Sequence, residues 1–499
     1  MRTLLTLVAL AGSAGATMAP AQSASPAARA AITTQLKQML DSLLRSDSTT
    51  PGLALHVESP RYGLSWTGTA GVADRATRIP LGPRHAFRMA SNTKTYVAAA
   101  VLKLWESGKV RLDTPVSTYL SPPTIATLRR GGYDPSVITV RHLLTHTSGV
   151  FDWGDLPEYG ERVAANPKYR WSRAEQLALA VDRGKPYGRP GEVFRYSDTG
   201  YNLLGEIIER VTGKAWAPAL RQTLGLSGIA LNETWLESLE PAPAGITGRA
   251  HQYIGPTDTY DWDPSLDLWG GGGYVATMRD MALFTRGLFT GMVYQTRTTK
   301  DSMLTTVLAT EGPGYRGGGS QIAKQGNYRM GIAVVDYAGM PTYVHSGYWG
   351  TFSLYVPHWD LSIAGVQTQQ QSRLLGGLMT GSVAVLKGHL GGLPEQTWNP
   401  EGSYEWKMDL SGILMNGGFT VYRRPDGTWG SHGNLGGPTG EALLGTKVTF
   451  ERNVLEITFS GAPGEMLFRV GYDAGKYTGR LTLAELGVAA DITVEKTGN

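Results

Sequence analysis

The 499-residue chain contains no cysteine. That excludes a disulfide framework, a thiol nucleophile and thiolate metal sites together. It also lacks a dominant charge: 46 Lys+Arg against 42 Asp+Glu give a formal net charge of +4, with no dense basic run. Nucleic acid is therefore not an expected partner. Beyond the amino terminus no apolar stretch approaches the length a bilayer span needs, so no stable membrane anchor is expected. What is present is globular: 41% hydrophobic residues, 13 Trp and 23 Tyr supply enough apolar surface to offset the entropy of ordering, which a disordered chain could not do. The length exceeds one ordinary domain and suits two or three.

The first residues read as an export address. Met1-Arg2 is a short positive start, Thr3 to Met18 is apolar and small, and Ala19-Pro20-Ala21 offers small residues at both cleavage positions. A signal peptide over 1–21 and a periplasmic or extracellular mature chain are expected.

Downstream, Ile32, Leu36, Met39, Leu40, Leu43 and Leu44 recur at helical spacing over roughly 27–46. Gly52-Leu-Ala-Leu-His-Val-Glu and Gly63-Leu-Ser-Trp-Thr-Gly predict a hairpin around Pro60-Arg61-Tyr62. Ser91 opens a helix that Gly108 ends, and Asp152 to Trp171 reads as loop. Ser172-Arg-Ala-Glu175 is a capping box, and Tyr201 to Val211 is a helix stopped by Gly213. Strands return between Val344 and Gln370. Strands at both ends of a segment with helices between them give an α+β layout. After the loop chemistry of 391–400, alternating runs such as Val454-Leu-Glu-Ile-Thr-Phe predict a separate antiparallel all-β domain, barrel or sandwich, over 394–499. It could cover a cleft, mediate association or stabilise the first domain.

Three short segments carry chemistry. In Ser91-Asn-Thr-Lys94 the hydroxyl and the amine share one helix face a turn apart. The free N–H groups and positive dipole end of the helix favour developing negative charge at the serine, and the lysine can hold or relay its proton. The bland alternative is a capping serine and a solvated lysine. Tyr196-Ser197-Asp198 lies on a turn entering the Tyr201 helix, and a tyrosine beside a cation can lose its proton well below its usual pKa. His345-Ser346-Gly347 ends a strand and precedes Tyr348; a glycine at a strand edge allows close substrate approach, and N–H groups there can donate to an oxyanion.

In this order the three segments resemble the serine β-lactamase and penicillin-binding superfamily, on the branch of class C β-lactamases, D-Ala-D-Ala carboxypeptidases, D-aminopeptidases and related esterases. Gly71-Val-Ala-Asp74, Leu143-Leu-Thr-His-Thr-Ser-Gly149, Tyr196-Ser-Asp-Thr-Gly-Tyr201-Asn-Leu-Leu-Gly205 and Gly272-Gly-Tyr-Val-Ala-Thr-Met-Arg-Asp280 are similar too, so the likeness covers about 32–375. The resemblance implies a β-lactamase/transpeptidase-like domain over 22–393, without a cofactor. It implies that Ser91 is acylated and that Lys94 and Tyr196 transfer protons. It places His345 before the substrate where many relatives carry lysine, and makes the N–H groups of Ser91 and Tyr348 the oxyanion hole, with Gly347 beside them. Asp198 departs from the asparagine common there: a carboxylate accepts but cannot donate. It either pairs with Lys94, leaving Tyr196 as the base, or caps the helix.

The implied activity is amide or ester cleavage through an acyl-serine, as a D-amino-acid peptidase, D-Ala-D-Ala carboxypeptidase or carboxylesterase. A class C type β-lactamase or a non-catalytic binder of cell-wall peptides is the alternative. Lys496-Thr497-Gly498 spells the third motif of many relatives but falls within the expected β domain. His142-x-x-x-His146 has zinc-like spacing without the zincin glutamate, so no metal is expected. Trp153, Tyr159, Tyr348 and Trp349 line an acyl pocket or pack.

Overall fold

A computed structural model describes residues 24–498 except 306, 308, 312–321, 325, 393–397, 411–412, 437–440, 452–453, 462–463, 474–475, 484 and 486–487. The expected signal peptide lies outside the described residues.

The first helix, Pro26–Ser46, starts where Ser25 accepts from the Ala28 N–H and Pro26 takes a position with no donor to lose. Its Ile32, Leu36 and Leu40 are fully buried, each contributing about 1.5–3 kcal/mol. They pack on a six-stranded antiparallel sheet ordered 333–337, 340–347, 351–356, 361–367, 52–59, 64–71. The expected hairpin forms its last two strands, turned by Pro60–Tyr62 and by Gly63 at φ 63°. Strands 52–59, 351–356 and 361–367 are buried along their whole length. Helices Pro26–Ser46 and Leu374–Leu390 cover one face, and helix Met278–Phe289 with the helical region covers the other. The fold is α+β.

Within the helical region the Ser172 capping box forms as expected. The stretch read as loop holds a helix, Pro157–Ala165. Its apolar face is only Tyr159 and Val163, packed with Trp153 and Trp171, too narrow a stripe to show as periodicity.

The β domain is a closed eight-stranded barrel from Gly402–Leu410 to Val488–Gly498, those two strands pairing to close it. Along its first strand Tyr404, Trp406 and Met408 are buried while Glu405, Lys407 and Asp409 are exposed, the period-2 pattern of a one-sided strand. Trp406 and Phe459 pack on Phe468 at 5.1 and 5.5 Å between ring centroids. Lys496 lies in the closing strand opposite Tyr404, so Lys496-Thr497-Gly498 is barrel wall. Arg480 joins the barrel to the first domain through Asp301 at 2.6 Å.

Candidate active site

Ser91 sits on the single 3-10 turn Ala90–Asn92, directly ahead of helix Thr93–Glu106. That helix is buried on nearly every side, so the turn is held by tertiary contacts. The Met89 carbonyl accepts from Thr351 Oγ1 at 2.9 Å and Asn92 Nδ2 at 3.2 Å, and Ser353 Oγ donates to Asn92 Oδ1 at 3.1 Å. Gly347 ends strand Met340–Gly347 against the same turn: a Cβ there would lie 2.1 Å from the Met89 carbonyl oxygen. Close backbone approach is why this position takes glycine.

Lys94, one turn beyond Ser91, is completely buried. Its Nζ lies 3.0 Å from Ser91 Oγ and 2.8 Å from the Gly271 carbonyl oxygen, and forms an ion pair with Asp198. Three acceptors around one nitrogen match the three donors of an ammonium. The carbonyl reaches it because the chain crosses here on four glycines. A Cβ on Gly270, Gly271 or Gly272 would strike the Tyr201 carbonyl, the Asp198 carboxylate or the Asp267 carboxylate.

Tyr196 and Asp198 enter from the start of helix Asp198–Thr212. Ser197 is the cap, its hydroxyl accepting from the Gly200 N–H. Asp198 is therefore the lysine's partner and not the cap, which resolves the alternative left open by sequence. The Tyr196 hydroxyl bonds to Ser91, and its ring lies 4.9 Å from Lys94 Nζ. Burial, with the Asp198 charge adding to it, pushes the Tyr196 phenol well above its ordinary value. The expected phenolate is thus corrected: Asp198 offsets the cation that was to favour it, and the resting phenol is neutral.

A family model described as Beta-lactamase matches residues 30–377. The chain belongs to the beta-lactamase family. Among curated members, penicillin-binding protein 4 of Amycolatopsis lactamdurans is 31% identical over 187 residues, 36% of this chain and 44% of that protein. Esterase EstB of Burkholderia gladioli is 29% identical over 235 residues, 42% of this chain and 53% of that protein. The matches thus span about half the length of these relatives. Among solved structures, a D-stereospecific amidohydrolase from Streptomyces sp. is 25% identical with a TM-score of 0.57, covering 72% of this chain and 98% of that one. SurE is 22% identical with a TM-score of 0.54, covering 94% of this chain and 100% of that chain, so its likeness in fold extends over most of the barrel.

Against the expectations for a beta-lactamase-family site, His345 needs the largest correction. It lies beside Tyr196, 6.5 Å between ring centroids, but only 2% of it is exposed. Nδ1 is 2.7 Å from the Ser346 carbonyl oxygen, which only a donor can serve, so Nε2 accepts from the Tyr328 hydroxyl at 3.0 Å. Burial, reinforced by the Lys94 charge, lowers its pKa to about 3. A neutral ring with both nitrogens engaged does not stand in for a substrate-facing lysine.

Sequence reasoning missed the packing behind Tyr196. The His146 ring lies tilted against that of Tyr196, 4.1 Å between centroids, and its Nδ1 accepts from the Ser197 N–H at 3.1 Å. It lies past the end of helix Val140–Leu144 at φ 57°, while His142 is within that helix and accepts from the Thr139 N–H, so the two do not share a helix face. Tyr328 lies near His146 and Tyr196 as well as His345, and no motif pointed to it. Asp267, beside Gly272, is raised by burial to about 7, and Asp152 is pushed well above the carboxylate range by burial and then by Asp198.

Of the four aromatics, Trp153, Tyr159 and Trp349 are buried in packing and Tyr348 is 55% exposed. Asp74, His251 and Asp258 could together approach one cation, within 4.8 Å of one another among the described residues, but none is a partner of Ser91 or Lys94. A cavity of about 990 Å³ opens between the barrel wall and Phe289, Tyr343 and Tyr355, and no residue of the Ser91 constellation lines it.

Proposed function

We propose that this chain is an exported serine hydrolase cleaving an amide or ester bond through an acyl-Ser91 intermediate. The observation that carries this reading is Ser91 Oγ held 3.0 Å from the buried Lys94 Nζ at a helix start. With all three N–H bonds of the ammonium engaged, Lys94 is no proton acceptor, and the relay falls to Tyr196. A neutral phenol both accepts and donates. As Oγ attacks the carbonyl carbon, the serine proton passes to Tyr196, and the phenolic proton passes to the leaving nitrogen or oxygen. Deacylation reverses the relay: water attacks, its proton goes to Tyr196, and the phenolic proton returns to Oγ. Lys94 stabilises charge building on Oγ, and the Ser91 and Tyr348 backbone N–H groups would receive the oxyanion.

The neutral His345 favours a D-amino-acid amidase, peptidase or esterase over a D-Ala-D-Ala carboxypeptidase, whose substrate carries a terminal carboxylate that an uncharged ring at this position does not attract. A class C type β-lactamase has less support, since it needs a placed deacylating water. A non-catalytic binder has less still: a completely buried lysine costs folding energy that mere binding does not require. A fluorescent phosphonate tests the reading. Labelling of the purified chain, abolished by Ser91→Ala, supports the enzyme, and no labelling of the wild type overturns it. Amino-terminal sequencing of protein recovered outside the cytoplasm tests export, with Gln22 expected first.

A further inference from the structure

We infer that Asp198 selects acyl donors carrying a free α-ammonium, against N-acylated ones. This rests on the hydrolase reading above and names the substrate class of the same site. Asp198 stands at the start of helix Asp198–Thr212, whose dipole favours its negative charge. Its Oδ1 is buried on the side of Lys94, while the side chain as a whole remains 21% exposed. Among the described residues the only side chain that pairs with this carboxylate is Lys94. It is therefore a partly open acceptor one ammonium removed from the nucleophile.

The surrounding charges point the same way. The Arg88 guanidinium is locked by Glu237 at 2.6 Å and by the carbonyls of Thr259 and Trp262. His345 has both ring nitrogens engaged within the protein. Asp267 lies against Gly272, the residue after the glycine that faces Asp198, and burial raises its carboxyl to about 7. An ammonium beside the scissile carbonyl finds a charged acceptor in Asp198. An N-acyl carbonyl finds no donor, because a carboxylate has none to give.

The experiment compares p-nitroanilides of D- and L-phenylalanine with their N-acetyl derivatives, on the wild type and on Asp198→Asn. The wild type is expected to favour the free amine by roughly 10- to 100-fold in kcat/KM, the range of a hydrogen bond to a charged group, mainly through KM. In Asp198→Asn the ratio is expected to move at least tenfold toward the N-acetyl substrate whatever the absolute rate, since the amide donates where the carboxylate cannot. Taking the ratio cancels any common loss from disturbing Lys94. Should the variant turn over too slowly, protection of Ser91 from the phosphonate by phenylalanine amide and by its N-acetyl derivative gives the same comparison as binding. Equal handling of both substrates by the wild type, or an unchanged ratio in the variant, overturns the inference while phosphonate labelling leaves the hydrolase standing. Loss of wild-type labelling overturns both.

Discussion

In the barrel, the buried side chains are Trp406, Phe419, Phe459, Phe468 and their aliphatic neighbours, and the buried polar groups among the described residues are Ser431 and Thr482. The first domain buries Lys94, Arg88, His146, His345 and Asp280, each a group that costs energy out of water unless paired or neutralised. The barrel is held mainly by area removed from water. The site region spends stability on a charge pair, two neutral histidines and raised carboxylic acids. Such an imbalance, more than cavity size, marks the candidate site: the 990 Å³ cavity at the junction holds none of the Ser91 constellation.

Substitutions can sharpen this contrast. Ser91→Ala carries the largest expected effect, a loss of at least about 1000-fold in turnover with unfolding nearly unchanged; substantial residual turnover in a substrate panel would break the assignment. Lys94→Met is expected to abolish activity and also destabilise by about 3–5 kcal/mol, because it strands the Asp198 carboxylate. Adding Asp198→Asn should restore much of the stability and none of the activity, read by denaturant unfolding beside kinetics. In the barrel, Trp406→Ala should cost about 3–5 kcal/mol yet leave p-nitrophenyl acetate hydrolysis intact, since no site residue lies on a barrel strand.

A pH test separates the regions further. With its folded pKa depressed to about 3 and an unfolded value near 6.5, His345 takes up its proton first in the unfolded chain. Its neutral burial therefore contributes stability above pH 6.5 that is lost as pH falls toward 3. His345→Gln should remove about 3 kcal/mol of acid sensitivity between pH 7.5 and 4.5, and an unchanged pH profile would sink the neutral-ring account. The smallest effect belongs to the docking contact. Arg480→Ala should cost about 1 kcal/mol or less and leave turnover untouched; a large loss would give the barrel a part in the site.

Much of this was legible along the chain. The Pro26–Ser46 helix, the 52–71 hairpin, the Ser172 capping box and the Gly213 stop follow from neighbouring residues, and period-2 alternation announced the β domain. Pro157–Ala165 was not legible, since two apolar residues make no stripe. Tyr328 and the roles of His146 and Asp267 were hidden because each acts through contact with residues distant in sequence. His345 was located but misassigned, since a histidine's charge depends on what surrounds both nitrogens.

Residue order and type alone determined the α+β layout, the trailing β domain and the serine–lysine–tyrosine set, because helix spacing, strand alternation and short motifs are local. Only the tertiary structure decided barrel over sandwich, since closure requires Ser403 to meet Gly498. It also decided what the site groups meet: Lys94 paired with Asp198, burial raising the Tyr196 phenol and burial lowering His345. Protonation follows from burial and from charges brought together across the fold, and neither is written in adjacent residues.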